Sequence, residues 1–220
     1  MPSCGPGVKM VTVVSAVPER PYRGVQAADR LAERRERLLK AGLDLLGARE
    51  PIELTVRGIC HRAGVASRYF YESFADKDEF VAAVFDWGVG DLAASTQAAV
   101  AAVPLAEQTR AGIAHLVAVI AGDARIGRML FSANLTNALL VRKRAESSAL
   151  FAMLSGRHVQ NVLRVPGNDR LKAAAHFMVG GVGQTISAWL AGDVTLAPEQ
   201  LVDQLVALLG RLDDPALFRG

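Results

Sequence analysis

The sequence predicts an all-α protein in two parts, a small N-terminal helical module followed by a larger helical domain. Three observations carry this. No region sustains the period-2 alternation of β-branched residues that a half-buried strand requires, and good helix formers dominate. Apolar residues recur at helical spacing both before and after the centre of the module. Between them, Thr55 to Phe80 reads as two short helices around a Gly-containing turn, followed at once by a third helix.

The first helix is expected from about Asp29 to Gly47, where Leu31, Leu38, Leu39, Leu43, Leu45 and Leu46 recur on one side and Arg34, Arg35, Arg37 and Lys40 occupy the others. Thr55 is placed to cap the second helix, its hydroxyl accepting from an orphan backbone N–H, and is also a candidate phosphate contact. Ile59, Cys60 and Ala63 give that helix an apolar stripe, and Gly64 supplies the residue that takes positive φ where the chain turns. In the next segment Phe70, Tyr71 and Phe74 form one flank, leaving Ser67, Arg68, Tyr69 and Glu72 to face outward. Ala66 carries no capping group, so Ser67 is the expected cap of this helix. Asp76 and Glu79 have the spacing of a capping box, which puts Lys77 at a helix N-terminus beside free backbone N–H groups, a suitable place to hold a phosphate.

Composition bounds the function. The 220 residues carry a formal net charge of +3, compatible with nucleic-acid binding without demonstrating it. The only cysteines, Cys4 and Cys60, supply no disulfide framework or metal cluster and fit a reducing cytoplasm. Four scattered histidines, no carboxylates paired at metal spacing, no phosphate loop and no nucleophile motif argue against an enzyme, and no cofactor is expected. The apolar run Met10 to Val17 lacks the length and cleavage site of a secretory signal, so residues 1–28 are read as a flexible extension. Its Arg20 and Arg23 are candidates for a basic arm on DNA; an unengaged tail is the plainer reading.

The fourth helix should run from Lys77 toward Val103, closed by Pro104. Three more are expected at roughly 106–122, 124–134 and 138–163. They carry apolar residues of uneven size with isolated polar ones, which suits a small-molecule pocket and an ordinary core equally. The candidate pocket residues are Trp87, His115, Met129, Phe131, Asn134, Phe151, His158 and Phe177. After a turn at Pro166–Asp169, a long helix follows with no charge between Ala173 and Gly192. His176, Gln184, Thr185 and Ser187 dilute it, and no second span accompanies it, which argues against a membrane. A helix apolar on every side then needs protein on every side, and a second copy of the chain is the simplest source. The last helix, opened by Pro198 and striped by Leu201, Leu205, Leu208 and Leu212, would join it in a two-fold interface over about residues 170–212.

Thr55, Ile59, Ala63, Gly64, Val65, Tyr71, Phe74 and Lys77 together resemble the DNA-binding segment of the TetR-like (AcrR-like) bacterial transcriptional regulators. The motif itself spans about Asp29 to Trp87; the likeness in layout spans the chain. It implies a three-helix helix-turn-helix DNA-binding domain over 29–76 and a ligand-binding and dimerisation domain over 77–220. It further implies a homodimer on a palindromic operator, with reading helices about 34 Å apart in successive major grooves. Thr55, Tyr71 and Lys77 would hold phosphates, and Ser67, Arg68 and Tyr69 would read base edges; Tyr71 could equally be core. A small apolar or amphipathic effector would release the DNA through the fourth helix. Three positions depart from the pattern: Ala66 where a Ser or Thr is usual, Gly58 in place of a polar residue, and Arg68 in place of a small one. The rival reading is a helical ligand-binding or scaffold protein without sequence-specific DNA binding.

Overall fold

The computed structural model describes residues 23–50, 52–132, 137–212 and 214–218, with the side chains of 23–27 excepted. Among the described residues the chain forms nine α-helices. They are α1 (Arg23–Leu46), α2 (Val56–Ala63), α3 (Ser67–Ser73), α4 (Lys77–Ala101), α5 (Gln108–Gly122), α6 (Ala124–Phe131), α7 (Ala138–Leu163), α8 (Asp169–Ala191) and α9 (Pro198–Gly210). Short 3-10 turns at Leu105–Glu107 and Pro215–Phe218 complete the described structure.

The helix ends follow from their capping chemistry. Thr55 Oγ1 accepts from the Gly58 amide at 3.0 Å, opening α2. Gly64 closes α2 in the left-handed region, at φ 63°, where a residue with a Cβ would be strained. Asp76 Oδ1 accepts from the Glu79 amide at 2.8 Å, while the Glu79 carboxylate reaches back to the amide of Ala75, at 2.6 Å. Asn137 caps α7 through the amides of Leu139 and Leu140, and Asn168 caps α8 through that of Leu171.

Some expectations are corrected. Helix α1 begins at Arg23, six residues before Asp29, and Leu31 lies on its exposed surface. Ser67 does not cap α3. It is the first helical residue, and Ala66 before it makes no side-chain cap bond. Helix α5 starts at Gln108 rather than 106 because the chain leaves Pro104 through a 3-10 turn. Helix α6 ends at Phe131, and residues 133–136, where its expected end falls, lie outside the described residues. Leu201 and Leu205 of α9 are buried, but Leu208 is exposed and Leu212 lies past the helix end.

A single apolar cluster runs from the N-terminal module into the larger domain. It joins Leu38, Leu39 and Leu43 of α1, Ile59 and Cys60 of α2, Phe70 of α3 and Phe80, Val84 and Phe85 of α4 to Met129 of α6 and Leu140 of α7. Its centre is aromatic: Phe70, Phe74 and Phe80 lie with ring centroids 5.1–5.6 Å apart. A second cluster packs α9 (Leu201, Val202, Leu205) on α5 (Val117), and a third packs α7 and α8 against Phe218 (Val159, Leu171). Among the described residues no helix is long and apolar enough to cross a membrane.

Helix α6 touches α1 at a point where backbone meets backbone. A Cβ on Gly47 would fall 2.4 Å from the Arg125 carbonyl oxygen, so glycine is needed for this approach. We expect Gly47→Ala to destabilise the protein by about 1–3 kcal/mol through overpacking, read as a lower urea midpoint with an unchanged slope. An unchanged midpoint would show that α6 can withdraw at no cost.

Candidate nucleic-acid interface

The turn between α2 and α3 is fixed from outside by α1. The Arg37 guanidinium donates to the Ala63 carbonyl from Nε (3.1 Å) and Nη2 (2.8 Å), and to the Gly64 carbonyl from Nη2 (2.7 Å). These carbonyls end a helix whose last acceptors have no partner within it, and a cation there also opposes the negative helix end. Phe70 and Phe74 anchor the inner side of α3 in the core, with no exposed surface on Phe70. Ser67, Arg68, Tyr71 and Glu72 of α3 face outward.

The structure places the six sequence-derived contact residues on α3 and at the openings of α2 and α4. Ser67, Arg68 and Tyr71 are exposed, Tyr69 is half-buried, and Thr55 and Lys77 are exposed. Tyr71 is 62% exposed, which removes the alternative of a core role; only one edge meets the Phe70 ring, at 5.3 Å. Lys77 is the first residue of α4, immediately after its Asp76 cap. Tyr69 and Arg68 are not independent, because Arg68 Nη2 donates to the Tyr69 hydroxyl at 2.5 Å. That bond pushes the Tyr69 phenol below the usual tyrosine range and holds the Arg68 proton more firmly.

A residue that the sequence left on the other faces of α1 also enters the site. Arg34 stacks its guanidinium over the Tyr69 ring at 4.2 Å and approaches Glu72 at 3.9 Å. Only tertiary structure reveals this, since no local spacing rule links a residue of α1 to one of α3.

Charges join this module to α6. Asp44 at the end of α1 accepts from Arg62 of α2 at 2.6 Å and pairs through its other oxygen with Arg125 of α6. Arg125 also grips Asp123, whose carboxyl it holds below the usual range. Arg128 donates to the Gly47 carbonyl at 2.6 Å. At the other end of α6, Arg144 of α7 donates to the carbonyls of Arg128, Met129 and Ser132 at 2.6–2.9 Å. Burial works against its charge, and these bonds offset that cost.

The candidate pocket residues do not converge on one cavity. Met129 is core: it is wholly buried, and its Cε fills the space left by Gly88 of α4, 2.9 Å from where a Cβ would stand. His115 Nε2 lies 2.9 Å from Ser95 Oγ, linking α5 to α4. Phe131 packs on Gly183 of α8, Phe151 and His158 are half-buried on α7, and Trp87 sits on the outer side of α4. Phe177 is 70% exposed, and Asn134 lies outside the described residues. A cavity of about 260 Å³ lies instead between the end of α1 and the start of α7, lined by Leu46, Leu54, Lys77, Arg128 and Leu140 among others. Among the described residues, no cluster of His, Cys, Asp or Glu could hold a metal ion.

Residues 38–84 match the family model of the bacterial regulatory proteins of the tetR family. That segment contains the turn, the aromatic anchors and Lys77. Among solved structures, FadR from Bacillus subtilis, in complex with stearoyl-CoA, is similar over 79% of this chain and 96% of its own, with TM-score 0.67 and 17% identity. The fatty acid degradation regulator FadR from Bacillus halodurans is similar over 80% and 94%, with TM-score 0.65 and 16% identity. A tetR-family transcriptional regulator from Streptomyces coelicolor is similar over 84% and 85%, with TM-score 0.64 and 20% identity. No curated protein matches the chain in sequence. Identities this low show the fold, a helix-turn-helix head on a larger helical domain, and the likeness to the tetR family rests on residues 38–84.

Arg37 gives this geometry a direct check. Replacing it with Met, which keeps the stem and removes the donors, should speed amide exchange at Gly64 and Val65 by about tenfold or more. Unchanged exchange would mean that the turn holds its shape without α1.

Proposed function

We propose that the protein is a transcriptional repressor that binds a palindromic operator as a homodimer and leaves it when a small apolar or amphipathic ligand binds. The observation that carries the DNA-binding half is the exposed outer face of α3, set between a capped α2 and Lys77 within the segment that matches the tetR family. In this reading residues 29–76 engage DNA and residues 77–220 bind ligand and partner, in the cytoplasm. Thr55, Tyr71 and Lys77 hold phosphates, and Ser67 and Arg68 meet base edges with Tyr69 beside them.

The ligand half draws support from the B. subtilis relative, whose stearoyl-CoA is of the amphipathic class. His115, Phe131, Phe151 and His158 are the proposed contacts, around a space that opens between α4, α5, α7 and α8 on binding. The links from α6 to Gly47 and Asp44 give such an opening a mechanical route to the head. To empty the operator almost completely, the ligand must favour the released state about 10⁴-fold.

The two-fold partner falls within about residues 170–212. Support comes from one face of α8, where Ala173, His176, Phe177, Gly180, Gly181 and Gln184 are all exposed at helical spacing. A large ring among small residues suits close approach by a second copy. The inner face of α9 is already engaged on α5, leaving Leu208 as an exposed large apolar residue on its other side. Phe177→Glu should convert the dimer to monomer in sedimentation at micromolar concentration; a dimer unaffected by it would move the interface elsewhere.

A salt-dependent binding titration with DNA flanking the protein's own gene tests the DNA-reading half. Lys77→Ala should weaken binding to all sequences alike and reduce the salt slope by about one. Arg68→Ala should lose about 1–3 kcal/mol of discrimination at one base pair. The reverse pattern would overturn this division of roles, and binding without sequence preference in the unaltered protein would overturn the reading itself.

A further inference from the structure

We infer that Arg34 of α1 is a positioning residue for base reading: it clamps the Tyr69 ring, and Tyr69 in turn holds Arg68 in the orientation in which it meets the groove. The inference rests on the reading of α3 as the DNA-contacting helix and adds a residue outside that helix to its specificity.

Four features converge on it. Helix α3 is short, and Ala66 gives its first turn no side-chain cap, so its outer residues depend on neighbours for their placement. The Arg34 guanidinium carbon lies 4.2 Å from the centroid of the Tyr69 ring, within cation–π range. Arg34 is itself constrained: its side chain is 26% exposed, Glu72 faces it at 3.9 Å, and its Nε is buried with no hydrogen-bond partner among the described residues. The Arg68 guanidinium carbon approaches the same ring, at 4.6 Å, and its Nη2 donates to the ring's hydroxyl.

The chain of contacts therefore runs from α1 through an aromatic ring to a cation on the outer surface. Arg68 has five N–H donors and gives one to Tyr69. Four remain, enough for a bidentate contact with the O6 and N7 of a guanine. Tyr69 then acts mainly through Arg68. It spends its ring on Arg34 and its hydroxyl on Arg68, which limits the surface it can offer to a base. An arginine on a free stem would sample many rotamers and pay their loss on binding; one already held reads the same base at lower entropic cost.

Two measurements test this, one of them without DNA. In a spectroscopic titration of the full chain, one of the three tyrosines should ionise below the other two, and Tyr69→Phe should remove that signal. Arg68→Ala should raise that phenol to the usual range, Arg34→Ala should raise it part of the way, and Arg34→Lys should restore it, since an ammonium also stacks on a ring. In selection from a random duplex pool, Arg34→Ala should relax preference at the same base pair as Arg68→Ala, by up to tenfold, with the salt slope unchanged, and Arg34→Lys should recover most of it. If Arg34→Ala leaves both the phenol and the preference unchanged, or lowers affinity for all sequences together with the salt slope, the clamp is refuted. If the phenol responds as stated but the unaltered protein selects no sequence, the DNA-reading role of α3 fails, and this role of Arg34 fails with it.

Discussion

The close approach of α6 to the end of α1 is the constraint on which the rest of the molecule depends. Gly47 lets the two backbones meet, Arg128 ties off the Gly47 carbonyl, and Asp44 bridges Arg62 of the head to Arg125 of α6. The ion pairs are largely exposed and individually worth little in water. Their importance is geometric, because they act at a contact that glycine has already made tight. Gly127 repeats the arrangement on the far side of α6, where a Cβ would meet Ile120 of α5 and Leu190 of α8. Helix α6 is thus held on both sides, and a displacement of it has no slack to be lost in.

Within the head, burial and hydrogen bonding have separate tasks. The rings of Phe70, Phe74 and Phe80 fix where α3 lies, since dense packing leaves few alternatives. Arg37 fixes the angle at which α3 leaves the turn. Three arginines of α1 face α3 or the turn before it: Arg34 over Tyr69, Arg35 over Phe74 at 5.2 Å, and Arg37 on the carbonyls. Helix α1 supports α3 with cations as well as with leucines.

Much of the fold was legible in the sequence because its helix ends are written in local chemistry. Gly64 and Thr55 mark the turn and its cap, Asp76 with Glu79 opens α4, and Asn137 sets the start of α7 at Ala138. Where the local signal is weak the reading slipped. Ser67 is a good cap residue one position too late, so α3 begins uncapped, and α1 starts at Arg23, six residues before its expected start. Side-chain roles were harder still. Met129 carries the flexible apolar character of a pocket wall, yet whether such a residue lines a void or fills one is decided by Gly88 on another helix. Arg34 was visible only as one of several basic residues on α1, because its partners lie on α3 and are reached through folding alone.

The apolar cluster that joins Phe80 and Val84 to Met129 and Leu140 has a consequence for how such molecules diversify. A head exchanged with that of a relative would arrive without the surfaces that Met129, Leu140 and Arg125 are shaped to meet. In the proposed DNA-reading role, a substitution on the outer side of α3 therefore disturbs less of the interior than an exchange of the whole head at the start of α4, because the seam between the two halves is interior rather than linker.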